Sequence, residues 1–400
     1  MATDPLPEPR LFNIEGPVPS VGFLGGLPCG GFLMFWGRDG GVWYQRAGGP
    51  SRLLVPSACD EAKLAPENGL DMCVSLDLLS DSSVGDAYSR EESLFPTAFN
   101  MAVLTQPSSF AVPPTDRTII IQIWRVDVEV EHTNGEVLGY SARLLGSFIE
   151  PDRRRFCYSM SLHGTHIAYF TGRPHDVQVV FILDWTTCDT ANVSRVVVSG
   201  VGGTAGILLP NDYLFISARQ SVQIWSWGSL APTPLVPEAY RSWTSREAKL
   251  LWASPSIRAP HVRHCNLFPY FVHDSTRIVI PSYDGLLGFK IPLSSLHAGS
   301  SVTPEMIHLS KGPVQSEEYQ YWFGYRAGIQ YNNPSESYVV YQYSWEGQGE
   351  TVELSRACLP SFEGEFHTGA GIYYDDAHGC LAAFGFGLEH GVSFSLSAIS

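Results

Sequence analysis

Charge is scarce in this sequence. Charged residues make up 16% of 400 positions, and basic ones are the rarer kind, 25 Lys and Arg against 40 Asp and Glu, for a formal net charge of -15. That balance disfavours binding to nucleic acid or an anionic membrane surface, because both depend on clustered Lys and Arg. The single basic run, Arg153-Arg154-Arg155, reads as a solvated turn. Paired cysteines are missing as well. Cys29, Cys59, Cys73, Cys157, Cys188, Cys265, Cys358 and Cys380 are scattered without C-x-x-C spacing, which excludes a dense disulfide framework and fits a reducing compartment. Residues 1–9 are acidic and proline-rich, without the basic start and apolar core of a secretory signal, and no apolar run is long enough for a membrane helix. An intracellular location, cytoplasmic or nuclear, is expected. Asn192-Val193-Ser194 is then a glycosylation sequon by pattern only.

What is present favours strands. A hydrophobic fraction of 44% in 400 residues supports a folded core, and 38 glycines, 28 prolines and 12% aromatics suit many short strands joined by turns. The clearest stretch is residues 156–235, which reads as two successive four-strand units. The first comprises Cys157 to Leu162, His166 to Phe170, Val177 to Leu183 and Arg195 to Val198. The second comprises Ala205 to Leu209, Asp212 to Ser217, Ser221 to Trp225 and Thr233 to Val236. The third runs end in tryptophan-containing pairs, Asp184-Trp185 and Trp225-Ser226. Val179-Val180-Phe181-Ile182-Leu183 is apolar on both sides of a strand, as expected where sheets stack face to face.

The same pattern extends both ways. Residues 31–36 and 42–45 flank a glycine-rich turn, residues 72–79 and 99–104 are candidate strands, and residues 118–131 and 137–148 form a long hairpin about Asn134-Gly135. Insertions are expected near 80–116 and 237–260; in the second, Glu238 to Tyr240 and Arg246 to Trp252 suit one or two helical turns. Strands resume at 267–272, 277–280, 286–291, 338–343, 351–358, 371–374, 380–384 and 392–396. Middle hairpins start near Thr118, His166, Asp212, Thr276, Tyr338 and Gly379, a spacing of roughly 40 to 60 residues, the period of propeller blades with variable loops. The expected fold is therefore all-β: a β-propeller of six or seven four-stranded blades with weakly similar repeats, a single domain over residues 31–400. Because residues 371–400 supply about three strands of four, residues 1–30 are expected to provide a ring-closing strand.

Candidate chemistry is sparse. His163-Gly164-Thr165-His166 and His261-Val262-Arg263-His264-Cys265 hold closely spaced ligand types, but zinc needs four convergent donors and neither has a second pair at suitable spacing. The glycine run 200–206 leads into a strand, so no helix N-terminus would face a phosphate. Gly139-Tyr140-Ser141-Ala142-Arg143 has Arg143 where a nucleophile elbow needs its second glycine. Asp375-Asp376 and Glu389-His390 fall in expected turns, where carboxylates serve the backbone and solvent. Trp124, Trp185, Trp225, Trp227 and Trp322 read mainly as packing between blades. No catalytic, cofactor-binding or metal-ligating residue is assigned, and no cofactor is expected.

Several runs together resemble a known family: residues 118–124 with Arg125-Val126, then Leu144 to Phe148, Ser161 to Ala168, and Phe181 to Trp185. They resemble the propeller-like region of F-box-type proteins of mushroom-forming fungi, over roughly residues 100–300. In that family an F-box helix bundle docks on the Skp adaptor of a cullin ubiquitin ligase and the propeller holds a substrate. Residues 1–30 depart from it: Leu6-Pro7-Glu8 echoes the opening of the box, but six prolines from Pro5 to Pro28 interrupt almost every helical window there. The expectation is a non-enzymatic protein-binding scaffold, a substrate-receptor-like propeller lacking the box, that binds an unidentified protein through interblade loops. The alternative class is a propeller hydrolase or lactonase, or a carbohydrate-binding propeller, recognised by polar or aromatic residues converging on the channel mouth.

Overall fold

The computed structural model describes residues 10–13, 20–27, 32–37, 40–46, 49–59, 64, 70–78, 96–108, 118–131, 136–150, 156–172, 179–188, 193–199, 203–218, 221–234, 248–254, 257, 269–272, 275–282, 285–296, 302–309, 319–323, 327–332, 337–343, 345, 352–358, 371–375, 380–384 and 390–395. These residues form seven antiparallel sheets, each built on four strands in meander order. Blade 1 comprises Ser20–Leu27, Phe32–Gly37, Val42–Arg46 and Arg52–Val55. Blade 2 comprises Leu70–Asp77, Ala98–Pro107, Ile119–Val130 and Val137–Glu150. Blade 3 has Phe156–His163, His166–Gly172, Val179–Asp184 and Ser194–Ser199, and blade 4 has Gly203–Leu209, Tyr213–Ala218, Val222–Ser226 and Lys249–Ala253. Blade 5 has Tyr270–Val272, Ser275–Ser282, Gly285–Pro292 and Glu305–His308. Blade 6 has Tyr319–Phe323, Ala327–Asn332, Ser337–Gln342 and Val352–Cys358.

The last sheet, blade 7, is assembled from both ends of the described chain. Gly371–Asp375, Cys380–Phe384 and His390–Ser395 are completed by Arg10–Asn13, which pairs antiparallel with the last of them in the register Arg10 to Ser393 and Asn13 to His390. Residues 1–30 thus contribute more than a closing strand, since Ser20–Leu27 is the inner strand of blade 1 and pairs with Phe32–Gly37 across the expected boundary at 31. The first strand of each blade lies innermost, and blades 1, 6 and 7 meet through these strands, as do blades 1 to 4. A closed ring leaves no sheet exposed at a terminal edge of the array.

Strand parity explains the packing. In blade 3, Ile167, Tyr169, Phe181 and Leu183 join a cluster with Ile121, Ile123 and Phe148 of blade 2. Their alternates, Ala168, Phe170, Val180 and Ile182, join Leu208, Leu214 and Ile216 of blade 4. The both-sided apolar run from Val179 to Leu183 is buried along its whole length for this reason. Equivalent clusters join blade 1 to blade 2 and blade 4 to blade 5. Near the axis, inner strands are stitched by serines: Ser75 Oγ accepts from Leu162 N at 2.9 Å, and Ser161 Oγ accepts from Leu208 N at 2.9 Å.

Three expectations are corrected. Thr233–Pro234 is not the fourth strand of its unit; it pairs with Ser194 and Arg195 and adds a fifth strand to blade 3. The fourth strand of blade 4 is Lys249–Ala253, within the stretch whose composition suggested helical turns. The exposed edge of Val222–Ser226 needs a backbone partner, and that non-local requirement overrides the local helix preference of Arg246 to Trp252. Finally, the equivalent of Trp185 in blade 4 is Trp227, because His166 faces Asp184 where Tyr213 faces Ser226. Residues 79–95, 109–117, 132–135, 235–247 and 258–268, which include most of the expected insertions and the Asn134-Gly135 turn, lie outside the described residues.

Candidate protein-interaction face

One end of the ring carries the turns between first and second strands and those between third and fourth strands. In blade 3 these two turns brace each other. Gly164, with φ of 55°, opens the two-residue connection between His163 and His166, a backbone shape that favours glycine at this first position. Its N–H donates to Asp77 Oδ2 of blade 2 at 2.7 Å, and its carbonyl accepts from Trp185 Nε1 at 3.0 Å. Trp185 N also donates to Thr165 O at 3.0 Å. The same backbone link recurs in blade 2 from Val128 N to Thr97 O and in blade 4 from Trp227 N to Asp212 O. Both indoles lean back on the preceding blade: Trp185 lies against Gly146 of blade 2, and Trp227 meets His166 of blade 3 edge-on at 4.9 Å.

Asp184 completes the platform. Its Oδ1 accepts from Thr186 N at 3.0 Å and from Thr186 Oγ1 at 2.6 Å, and its carbonyl accepts from Thr187 Oγ1 at 3.0 Å. The carboxylate is therefore engaged in an Asx turn. Thr165, Thr186 and Thr187 stand exposed on this braced surface. Beside it the blade 2 hairpin overhangs, its blade-3-facing row passing from buried Ile121 and Ile123 to exposed Asp127 and Glu129.

Histidines of the H-G-T-H run do not converge. His163 Nδ1 lies 3.7 Å from Asp77 Oδ1 while its ring stacks on Phe271 of blade 5 at 5.9 Å, so side chains of blades 2, 3 and 5 meet near the axis. His166 instead faces Trp227, with Nδ1 3.2 Å from Thr165 Oγ1. Among the described residues no three His, Cys, Asp or Glu side chains are grouped to hold a metal ion. His261, His264 and Cys265 lie outside the described residues. Ser141 is an exposed strand residue opposite Asp127. Asp375 ends the inner strand of blade 7 and His390 begins its third strand, while Asp376 and Glu389 are outside the described residues. Gly206 sits within a strand, where an added Cβ would meet Phe170 Cζ of blade 3 at 2.3 Å and Phe215 O at 2.6 Å; close interblade approach is what requires the glycine.

Two polar networks escaped the sequence reading. Tyr44 of blade 1 inserts its hydroxyl at the outer edge of blade 2, accepting from Tyr140 N at 3.1 Å and donating to Tyr140 O at 3.2 Å. Arg52 Nη1 donates to the nearby Leu138 O at 3.2 Å. These side chains dock the distal half of the blade 2 hairpin on blade 1. The second network is wholly buried: Arg195 Nη1 donates to Glu150 Oε1 at 3.0 Å and to Oε2 at 2.8 Å, and Tyr169 OH donates to the same carboxylate. Burial, opposed by the Arg195 charge and aided by the Glu150 charge, pushes the Tyr169 hydroxyl well above its usual range and keeps it a donor. Arginine within the apolar run Arg195-Val196-Val197-Val198 was the visible signal, but its carboxylate partner lies 45 residues away.

No protein-family model and no curated protein matches the chain. Solved propellers do. The β-propeller domain of Cps50 (Swd1) from Myceliophteria thermophila aligns over 97% of this chain and 100% of its own length, at 13% identity and a TM-score of 0.52. That likeness shows the fold. YCF48 from Cyanidioschyzon merolae (12% identity, 97% of this chain and 99% of its own, TM-score 0.43) and the WD40 domain of SCAP from fission yeast (10%, 94% and 82%, 0.40) also align. Among the described residues no helix is long and apolar enough to cross a membrane.

Proposed function

We propose that this chain is a non-enzymatic, protein-binding scaffold whose recognition surface is the braced end of blades 2 to 4. The observation that carries the reading is the blade 3 platform: Gly164 and Thr165 are held through Asp77 and Trp185, so exposed Thr165, Thr186 and Thr187 are presented on a rigid support. Preorganised loops on a rigid scaffold lose little entropy on binding, which suits partner recognition. The test is affinity capture from native extract with the wild-type chain and a Thr165→Arg/Thr186→Arg variant of unchanged melting temperature. Proteins retained by the wild type and lost by the variant support the reading; identical sets from both overturn it.

The resemblance in residues 118–185 supports a finer reading, a propeller related to F-box substrate receptors that works in the cytoplasm or nucleus. Because prolines from Pro5 to Pro28 interrupt almost every helical window of residues 1–30, this chain alone is expected not to bind a Skp-type adaptor. Titration of purified chain with adaptor checks this. Sub-micromolar association with the natively folded full chain would restore a direct ligase role.

A further inference from the structure

The connection between the third and fourth strands of blade 4 does not stay with its own sheet. After Trp227 packs on His166, and Leu230 enters the cluster between blades 3 and 4, the chain runs out to the rim of blade 3. There Thr233–Pro234 pairs antiparallel with the outermost strand, Thr233 facing Arg195 and Pro234 facing Ser194. It returns to blade 4 at Ala248, also in that cluster, and forms Lys249–Ala253. The outer edge of blade 3 therefore holds an added strand in this structure, and the added strand is two residues long.

Its chemistry makes it a poor occupant. The segment reads Pro232-Thr233-Pro234, so Thr233 supplies its single backbone N–H, whereas the edge it covers is part of the six-residue strand Ser194–Ser199. Among the described residues no strand pairs with Val196 to Ser199 on that outer side. A proline-free extended segment can offer a donor and an acceptor at alternate positions along all six residues, with β-branched side chains matching the Val196-Val197-Val198 run. Because Trp227, Leu230 and Ala248 anchor both ends of the connection in the core, Thr233–Pro234 can leave the edge without unfolding blade 4.

We propose that the outer edge of blade 3, Ser194–Ser199, is a strand-addition site for an extended, proline-free segment of a partner protein, held closed in cis by Thr233–Pro234. The proposal rests on the scaffold reading above but uses the rim rather than the loop-bearing end. Addition of a strand in trans gives affinity through main-chain hydrogen bonds and specificity through alternate side chains. Displacing the cis strand sets a threshold that a short or proline-broken peptide does not pass.

The test uses the full chain and one probe, a fluorescein-labelled peptide of sequence Lys-Ser-Leu-Ala-Val-Thr-Val-Leu-Val-Lys. It follows residues 229–236 with valine at both proline positions. Thr233→Pro removes the last N–H of the cis strand, and Ser194→Cys/Pro234→Cys locks the facing pair by a disulfide when oxidised. Anisotropy titration is expected to show T233P binding at least about tenfold tighter than wild type, since the cis strand no longer competes. The oxidised lock abolishes binding, and reductant restores it. Equal affinity for the oxidised and reduced lock overturns the proposal, and that comparison stands even if T233P fails to fold. Absence of probe binding to a natively melting T233P overturns it too, as does concentration-dependent dimerisation of T233P that excludes the probe, which would make a second copy the occupant. If Thr165→Arg/Thr186→Arg loses native partners while the lock has no effect on the probe, the platform reading survives and the edge proposal falls.

Discussion

Arg195 of blade 3 donates from Nη1 to both carboxylate oxygens of Glu150 of blade 2 with no solvent contact for either side chain, and its guanidinium lies 4.5 Å from the centre of the Phe181 ring. A buried pair of this kind offsets its own desolvation only while both partners remain. Glu150→Met or Arg195→Met alone is expected to cost about 3–5 kcal/mol. Glu150→Met/Arg195→Met together should cost far less than the sum. Urea midpoints for the four proteins measure the cycle, and additive losses would show that the residues act separately.

Alkaline pH should destabilise the fold. Cys73 is pushed up from 9.0 to about 12, first by burial and then by the Asp71 charge, and Tyr169 is pushed well above 10.0 chiefly by burial. For groups whose folded pKa is raised, the stabilisation is complete below the unfolded pKa and is lost as pH rises towards the folded one. Melting temperature is therefore expected to hold up to about pH 9 and to fall between about pH 9 and 12. Thermal scans at stepped pH check this, and Cys73→Ala should make the decline shallower.

Ring closure depends on four residues near the start. Removing residues 1–13 deletes Arg10–Asn13 and exposes the edge of His390–Ser395. Limited proteolysis should then cut within residues 371–395 before any other blade, with a lower melting temperature. Unchanged resistance there would mean that the closing strand contributes nothing.

Gly206→Ala places a methyl group against Phe170 and the backbone carbonyl of Phe215. Neither can retreat without separating blades 3 and 4, so a loss of about 1–3 kcal/mol is expected from urea unfolding.

Tyr44→Phe keeps the aromatic packing with Phe32 and Tyr140 but removes the hydroxyl that serves both backbone groups of Tyr140. A cost of about 1–3 kcal/mol is expected, because those groups are left buried. Hydrogen exchange should report it locally, with faster exchange at Tyr140 than in blade 4.

Much of this architecture is local and so was legible in the sequence. Alternation, β-branched runs and turn glycines mark strands because side-chain direction and backbone angles are set within a few residues, and blade 3 from Phe156 to Ser199 lies close to where those signals put it. Apolar character on both sides of Val179 to Leu183 was enough to require a sheet covered on two faces. Which edge a strand joins is not local. Thr233–Pro234 belongs to blade 3 and Lys249–Ala253 to blade 4 because unsatisfied backbone groups on those edges select them, against the order and the helical preference of the segment itself. The same holds for Arg195 with Glu150 and for Tyr44 with Tyr140: each residue type is readable alone, but its partner is chosen only when neighbouring blades bring buried polar atoms together and low dielectric demands that they pair.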